Sequence, residues 1–429
     1  MSIASALLML FAAVVTGAHA HAQGVATVSV ASDGDHHVEP HLATNPNDSR
    51  EIVVVAMRVQ STALDTWQVS AFRSADGGQS WQSSTLPARD GVRCAADPWV
   101  VWGQERSVYL VCLAPVPTAD GKDFDFETFL YRSRDGGQSW LPPLQVPVDT
   151  AGSWDHPVVT RVPAGSSGER DVVWIAGTRG RRGGNGFGVI PYSADGERFG
   201  TFRLYRPPNA ANDIFAGAVA LGGGRLLFTY YTMSEQPPRP LYAVHLTDED
   251  TAQTRVRDSV TPWGFPMLGA SATPAPQRPV YSVWLEGTQA GGLHVMLARS
   301  SDEGRSWSTP VVVTREDRAV FRTRPNVAVD ARGAVAVTWF ESTSGDNCGD
   351  VRLRVLADGG TRVLHERRFP RGDTACPRER PLGGIVERWR GGGDYSGILS
   401  PAPGVFDLVW ADAREDGHQV RFARVRIDR

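Results

Sequence analysis

Short, Val-rich apolar runs recur along the chain at nearly even intervals: EIVVVAM, SVYLVCL, DVVWIAG, RLLFTYY, PVYSVWL, AVAVTWF and VFDLVWA. Each has the length and β-branched character of a buried strand, and Gly, Pro or Asp punctuates its ends. Ahead of each run stands a second segment that opens on a polar residue, often followed by proline: EPHLATNP, ADPWVVW, DHPVVTRV, NDIFAGAVAL, FPMLGAS, RPNVAVD and GDYSGIL. A third strand follows the apolar run, and a short fourth strand leaves it. The unit is therefore four antiparallel strands long, and it repeats.

An octapeptide marks the turn between the third and fourth strands. SADGGQSW occupies 74–81, SRDGGQSW 133–140 and SSDEGRSW 300–307. Degraded copies centre on Asp195, Asp248 and Asp358, so the aspartates follow one another every 53 to 60 residues. A period of that size predicts a propeller of four-stranded blades. The opening segments number seven. The last unit runs from Gly393 to QVRFARVRI and lacks a fourth strand, which the early segment VATVSVA can supply. The expectation is an all-β, seven-bladed β-propeller closed by its N-terminal strand, formed by one domain over 23–429. A six-bladed ring with an appended sheet is the lesser alternative. In the octapeptide, Ser74 and Asp76 are placed to accept backbone N–H groups and Gly78 to take a positive φ, so the motif reads as a turn at the rim of one face.

Composition changes this picture little. Of the 429 residues, 41% are hydrophobic and 21% charged, with 45 Gly and 29 Pro. The net charge of −3, without a basic block or basic-aromatic stripe, argues against nucleic acid as a partner. The N-terminal ALLMLFAAVVTGAHAHA reads as an export signal over 1–22, with small-x-small sites at Ala20 and Ala22. No later run approaches a membrane span, so a secreted or periplasmic monomer is expected. Four cysteines suit an oxidising compartment. The repeat alignment pairs Cys94 with Cys112, about a turn near Gly103, and Cys348 with Cys376.

The pattern Ser-x-Asp-x-Gly-x-Ser-Trp at Ser74/Asp76/Gly78/Trp81, Ser133/Asp135/Gly137/Trp140 and Ser300/Asp302/Gly304/Trp307 resembles the Asp-box (bacterial neuraminidase repeat, BNR) propellers of the sialidase superfamily. The resemblance implies a carbohydrate-directed protein. For an active member it implies an exo-α-sialidase type of glycoside hydrolase: three arginines on the substrate carboxylate, a tyrosine nucleophile and an aspartate acid/base. Tyr395, in GDYSGI at the start of the last blade, stands near the family's tyrosine, and Arg324 precedes Pro325 at the start of the sixth. Where the family places its first arginine, in an aromatic-Arg-Ile-Pro sequence, this chain reads VEPHLA. Glu39 there would repel a carboxylate.

In such a blade the first strand starts, and the second ends, on one face. The openings bring Glu39, His41, Asp97, Asp155, His156, Asp213, Arg324, Asp394 and Tyr395 to the channel mouth. The endings bring Arg58, Arg179, Glu286, Glu341, Asp412 and Arg414. Tyr395, Asp97 and Asp155 are the catalytic candidates, and Glu39, His41, Arg58, His156, Arg179, Arg324, Glu341, Asp394, Asp412 and Arg414 are candidate ligand contacts. Arg179, Arg181 and Arg182 form a basic loop over the mouth, available to an acidic ligand. Asp97, Asp155, Asp213 and Asp394 offer oxygen ligands to a structural Ca²⁺, and no other cofactor is indicated. The leading expectation is an exported propeller that binds a glycan or other polar ligand at this mouth. An active exo-glycosidase and a scaffold for a surface protein are the alternatives.

Overall fold

The computed structural model describes residues 27–427, apart from 32–33, 119–120, 122, 149–152, 162–171, 181–185, 195–196, 209–212, 235, 248–249, 262–264, 271–278, 289–290, 315–319, 343–348, 370–387 and 415–416. Strands pair into seven separate antiparallel sheets, ordered as the repeat predicts. The first blade runs through His36–Thr44, Ile52–Val59, Trp67–Ser74 and Gln82–Ser84. The protein is a seven-bladed β-propeller, and every apolar run named above is the second strand of a blade. In the third blade, Arg198–Phe199 and Arg203–Tyr205 both pair with Gly186–Ser193, so its outer edge is split.

The seventh blade contains Gly397–Ala402, Val405–Arg414 and Gly417–Arg426, and its fourth strand is Val28–Ser29. Val28 stands opposite Phe422 and Ser29 opposite Arg421, and the Val30 N–H donates to the Val420 carbonyl at 2.9 Å. This pairing covers an edge that would otherwise present free N–H and C=O groups. The proposed signal, residues 1–22, lies outside the described residues. Among the described residues no helix is long and apolar enough to cross a membrane.

The octapeptide is a turn stapled to the preceding blade. Ser74 Oγ donates to Asp76 Oδ1 at 2.8 Å and accepts the Gly78 N–H at 2.8 Å. Asp76 Oδ1 also accepts the N–H groups of Gln79 and Ser80, and Ser80 Oγ donates to Oδ2 at 2.5 Å. Ser133/Asp135 and Ser300/Asp302 build the same cage. Gly78 has φ +90°, and a Cβ there would stand 2.1 Å from Phe422 of blade seven. The indole of Trp81 lies edge-on to that Phe422 ring, and Trp140 donates to Ser84 of the preceding blade. Gly360, in the degraded copy at Asp358, keeps φ +103° and packs against Leu297 of blade five. The copies at Asp195 and Asp248 lie outside the described residues. The turns sit beside the first-to-second-strand loops, since Gly77 donates to Arg50 O and Gly136 to Arg106 O. They are therefore on the face opposite the strand openings.

Candidate functional site

Four of the strand openings share one distortion. Glu39, Asp97, His156 and Arg324 each precede a proline and each has φ between +49° and +53°. At all four the register with the second strand slips, between Val38 and His41, Ala96 and Trp99, Asp155 and Val158, and Thr323 and Asn326. Proline has no N–H to lose, so the bulge costs the ladder little. The positive φ costs ~1–3 kcal/mol each, a strain that needs a reason. Its result is to bring Glu39, Asp97 and His156 together at the mouth.

Tyr395 stands at the centre of that group. It is 4% exposed, and its hydroxyl has no hydrogen-bond partner among the described residues. Burial first, then the charges of Asp97, Glu39, Asp394 and Asp155, push its phenol well above the ordinary value, so it stays protonated. The Asp394 N–H donates to Glu39 Oε1 at 3.2 Å, and the His156 N–H to Asp97 Oδ2 at 3.2 Å. Asp155 and Asp394 are exposed at the rim, Asp97 is partly covered and Glu39 is buried.

These four carboxyls crowd one another's charge. Burial and then Asp155 push Asp97 up to about 7, with Asp394 adding to the shift. Burial, then Asp97 and Asp394, raise Glu39 well above the carboxylate range. Partial desolvation and Asp394 raise Asp155, and partial desolvation raises Asp394 against the pull of Arg324 and Arg388. The cluster therefore retains protons at neutral pH, whereas burial drives His41 down to about 3 and His156 to about 4, so both imidazoles are neutral.

Aromatic rings form the wall beneath. Trp99 lies 5.6 Å from the Tyr395 ring and stacks on His41 at 3.9 Å; Phe265 stacks on His156 at 4.3 Å. His156 meets Tyr395 edge-on at 5.3 Å. Below them the channel opens as a cavity of about 800 Å³, which His41 and Trp99 also line, running toward the face of the octapeptide turns past Ala218, Leu268, Val327 and Pro401. The aromatic wall thus divides mouth from channel.

The loop 390–395 fixes Tyr395. Gly391, Gly392 and Gly393 all have positive φ, and a Cβ on Gly393 would fall 2.1 Å from Glu39 Cγ. Arg324 donates to the carbonyls of Gly391 and Gly393 and lies 4.6 Å over the Phe340 ring. Its guanidinium thus binds this loop.

Arg58 and Arg179, also expected at the mouth, are similarly engaged. Arg58 pairs with Asp35, and Arg179 is buried 5.0 Å over the Trp154 ring. Glu341 is held by Arg322, Arg352 and the Trp339 indole, contacts that outweigh its burial and lower its pKa. Glu286 is bound by Arg257 and Trp284. Asp213 accepts from Thr232 at 2.7 Å, and Asp412 is buried near the end of the blade-seven second strand. Arg414 ends that strand. Thus Glu39, His41, Asp97, Asp155, His156, Asp394 and Tyr395 converge, while Arg58, Glu286 and Glu341 close ion pairs around them. Arg181 and Arg182 lie outside the described residues. Sequence reasoning missed Trp99, Phe265 and Arg388; Arg388 is exposed, and its charge reaches Glu39, Asp97 and Asp394.

Cys94 and Cys112 form the expected disulfide beside the second blade's opening. Cys348 and Cys376 lie outside the described residues. Among the described residues, no three His, Cys, Asp or Glu side chains stand in metal-binding geometry.

No known protein family and no curated protein matches the sequence. Solved structures do. An ulvan lyase of a polysaccharide lyase family aligns with TM-score 0.54 and 11% identity, over 94% of this chain and 96% of that one. The endosialidase of phage phi92 aligns at 0.52 and 10%, over 94% and 69%. A protein of unknown function from Dyadobacter fermentans aligns at 0.51 and 14%, over 94% and 98%. At such identities the likeness is one of fold: this chain shares the propeller of carbohydrate-active proteins.

Proposed function

We propose that the protein binds a carbohydrate at the mouth formed by the strand openings. The observation that carries this reading is the convergence of Glu39, Asp97, Asp155 and Asp394 on the buried Tyr395 beside Trp99 and Phe265. Carboxylates accept hydrogen bonds from sugar hydroxyls, while aromatic faces pack the apolar C–H side of a pyranose. Two neighbours of the same fold, the ulvan lyase and the endosialidase, are named for action on polymeric sugars, which supports the ligand class. The export expected from the N-terminal sequence would place such a protein where glycans are met.

A glycan array probed with the purified protein tests the reading. Retention on a defined set of glycans, weakened at least tenfold by Asp97→Asn or Asp155→Asn, is expected. An array with no retained glycan, or variants binding as the parent does, would sink it.

Hydrolysis is a second reading, favoured by Asp97, whose carboxyl is half-protonated near neutral pH, as a general acid requires. Its proton donor would be a carboxyl of the cluster, because the phenol of Tyr395 is held protonated. Release of 4-methylumbelliferone from a panel of aryl glycosides, abolished by Asp97→Asn, is the corresponding assay. No release from any member by the parent protein rejects hydrolysis and leaves binding standing.

A further inference from the structure

We infer that the sugar recognised at this mouth carries a protonated amine, as a glucosamine residue with a free amino group does; the inference rests on the carbohydrate reading above. The charges of four carboxyls, Asp97, Glu39, Asp394 and Asp155, reach the Tyr395 hydroxyl, which is buried and has no hydrogen-bond partner among the described residues. That hydroxyl is a buried polar atom within an acidic cluster. Two guanidiniums reach the cluster by charge. Arg324 donates to the carbonyls of Gly391 and Gly393 while its charge still acts on Asp394, and Arg388 sits at the exposed edge, 5.3 Å over the Trp389 ring.

An acidic sugar would add negative charge to carboxyls that already hold protons to relieve their mutual repulsion. A neutral sugar would leave that repulsion as it is, whereas an ammonium can take over the role of those protons. A small hard cation needs three or more ligands in contact with it, and the described residues offer no such set. An alkylammonium is larger, donates three hydrogen bonds, and tolerates carboxylates at looser spacing. It also gains from ring faces, and the partly exposed Trp99 and Phe265 stand beside Tyr395 and His156. Asp155 and Asp394 are the exposed members, so they meet the amine first.

Isothermal titration of the full-length protein with a glucosamine tetramer and with its fully N-acetylated counterpart separates the cases. The free-amine tetramer should bind at least about tenfold more tightly, since a charge-assisted bond replaces a neutral one. Sodium chloride should weaken the amine form selectively. Asp155→Asn with Asp394→Asn should erase the preference, and Arg388→Ala should enlarge it. Both substituted acids are exposed, and the salt dependence of the unsubstituted protein gives a readout independent of any variant. Equal binding of the two tetramers, tighter binding of the acetylated one, or binding that requires added Ca²⁺ overturns the inference while leaving the carbohydrate reading intact. Silence toward both tetramers and across the glycan array overturns the two together.

Discussion

Asp97 shows how much one strained residue carries. Its φ of +49° swings the carboxyl into a group already occupied by Glu39, Asp155 and Asp394, with Arg388 at the edge and the His156 N–H as its donor. A folded-state pKa near 7 lies above the unfolded value near 4, so the folded protein holds the extra proton between them. The associated stability is fully present below about pH 4 and is lost as pH rises through about 7. The unsubstituted protein should therefore be less stable at pH 8 than at pH 5, and Asp97→Asn should remove on the order of 2 kcal/mol of that difference. Urea midpoints at the two pH values measure it; parallel slopes in parent and variant would count against the cluster. Tyr395→Phe makes the complementary case. Deleting a buried, unbonded hydroxyl should leave stability unchanged or raise it by about 1 kcal/mol, while glycan retention falls. A large loss of stability would mean that the hydroxyl has a structural partner. The pairing of residue with proline at these openings was legible in the sequence. The sign of φ was not, because a proline biases the residue before it toward extended backbone with negative φ, and these four positions run against that bias. Nor was the fate of Arg324, which depends on two glycine carbonyls brought near it by another blade.

At the scale of the element, the octapeptide turn joins blades as well as strands. Gly78→Ala places a methyl where Phe422 already stands and forces an L-residue into φ +90°. A loss of about 2–4 kcal/mol in equilibrium unfolding is expected, against a smaller loss for Asp76→Asn, which keeps part of the cage. Reversal of that order would show that the hydrogen bonds, not the close approach, dominate. The disulfide acts on the second blade alone. Cys94→Ser with Cys112→Ser should cost ~2–4 kcal/mol under oxidising conditions and nothing further under reduction. Strand count, order and even the second-strand boundaries could be read from apolar runs and punctuation. What escaped was Arg388, which lies among residues with no strand-like pattern, and Trp99, whose alternation marks it only as an inward strand residue.

For the whole molecule, the seven sheets share one closure. Removing residues 27–31 would bare the Gly417–Arg426 edge and part blade seven from the chain that completes it. Thermal unfolding should lose cooperativity and move down by several degrees, with aggregation at lower temperature; an unchanged transition would show that the pairing is dispensable. The period of the aspartates was sufficient to predict this ring because each blade repeats the same burial problem. The mouth could be predicted only as a location, since its chemistry depends on which side chains face inward and which are already paired.

Val28–Ser29 makes closure of the ring a long-range event. Its partners Phe422 and Arg421 lie at the far side of all seven blades along the chain, so this contact carries the largest loop-closure cost in the fold. Blades can form from neighbouring segments, but the ring as a whole waits on this one pairing.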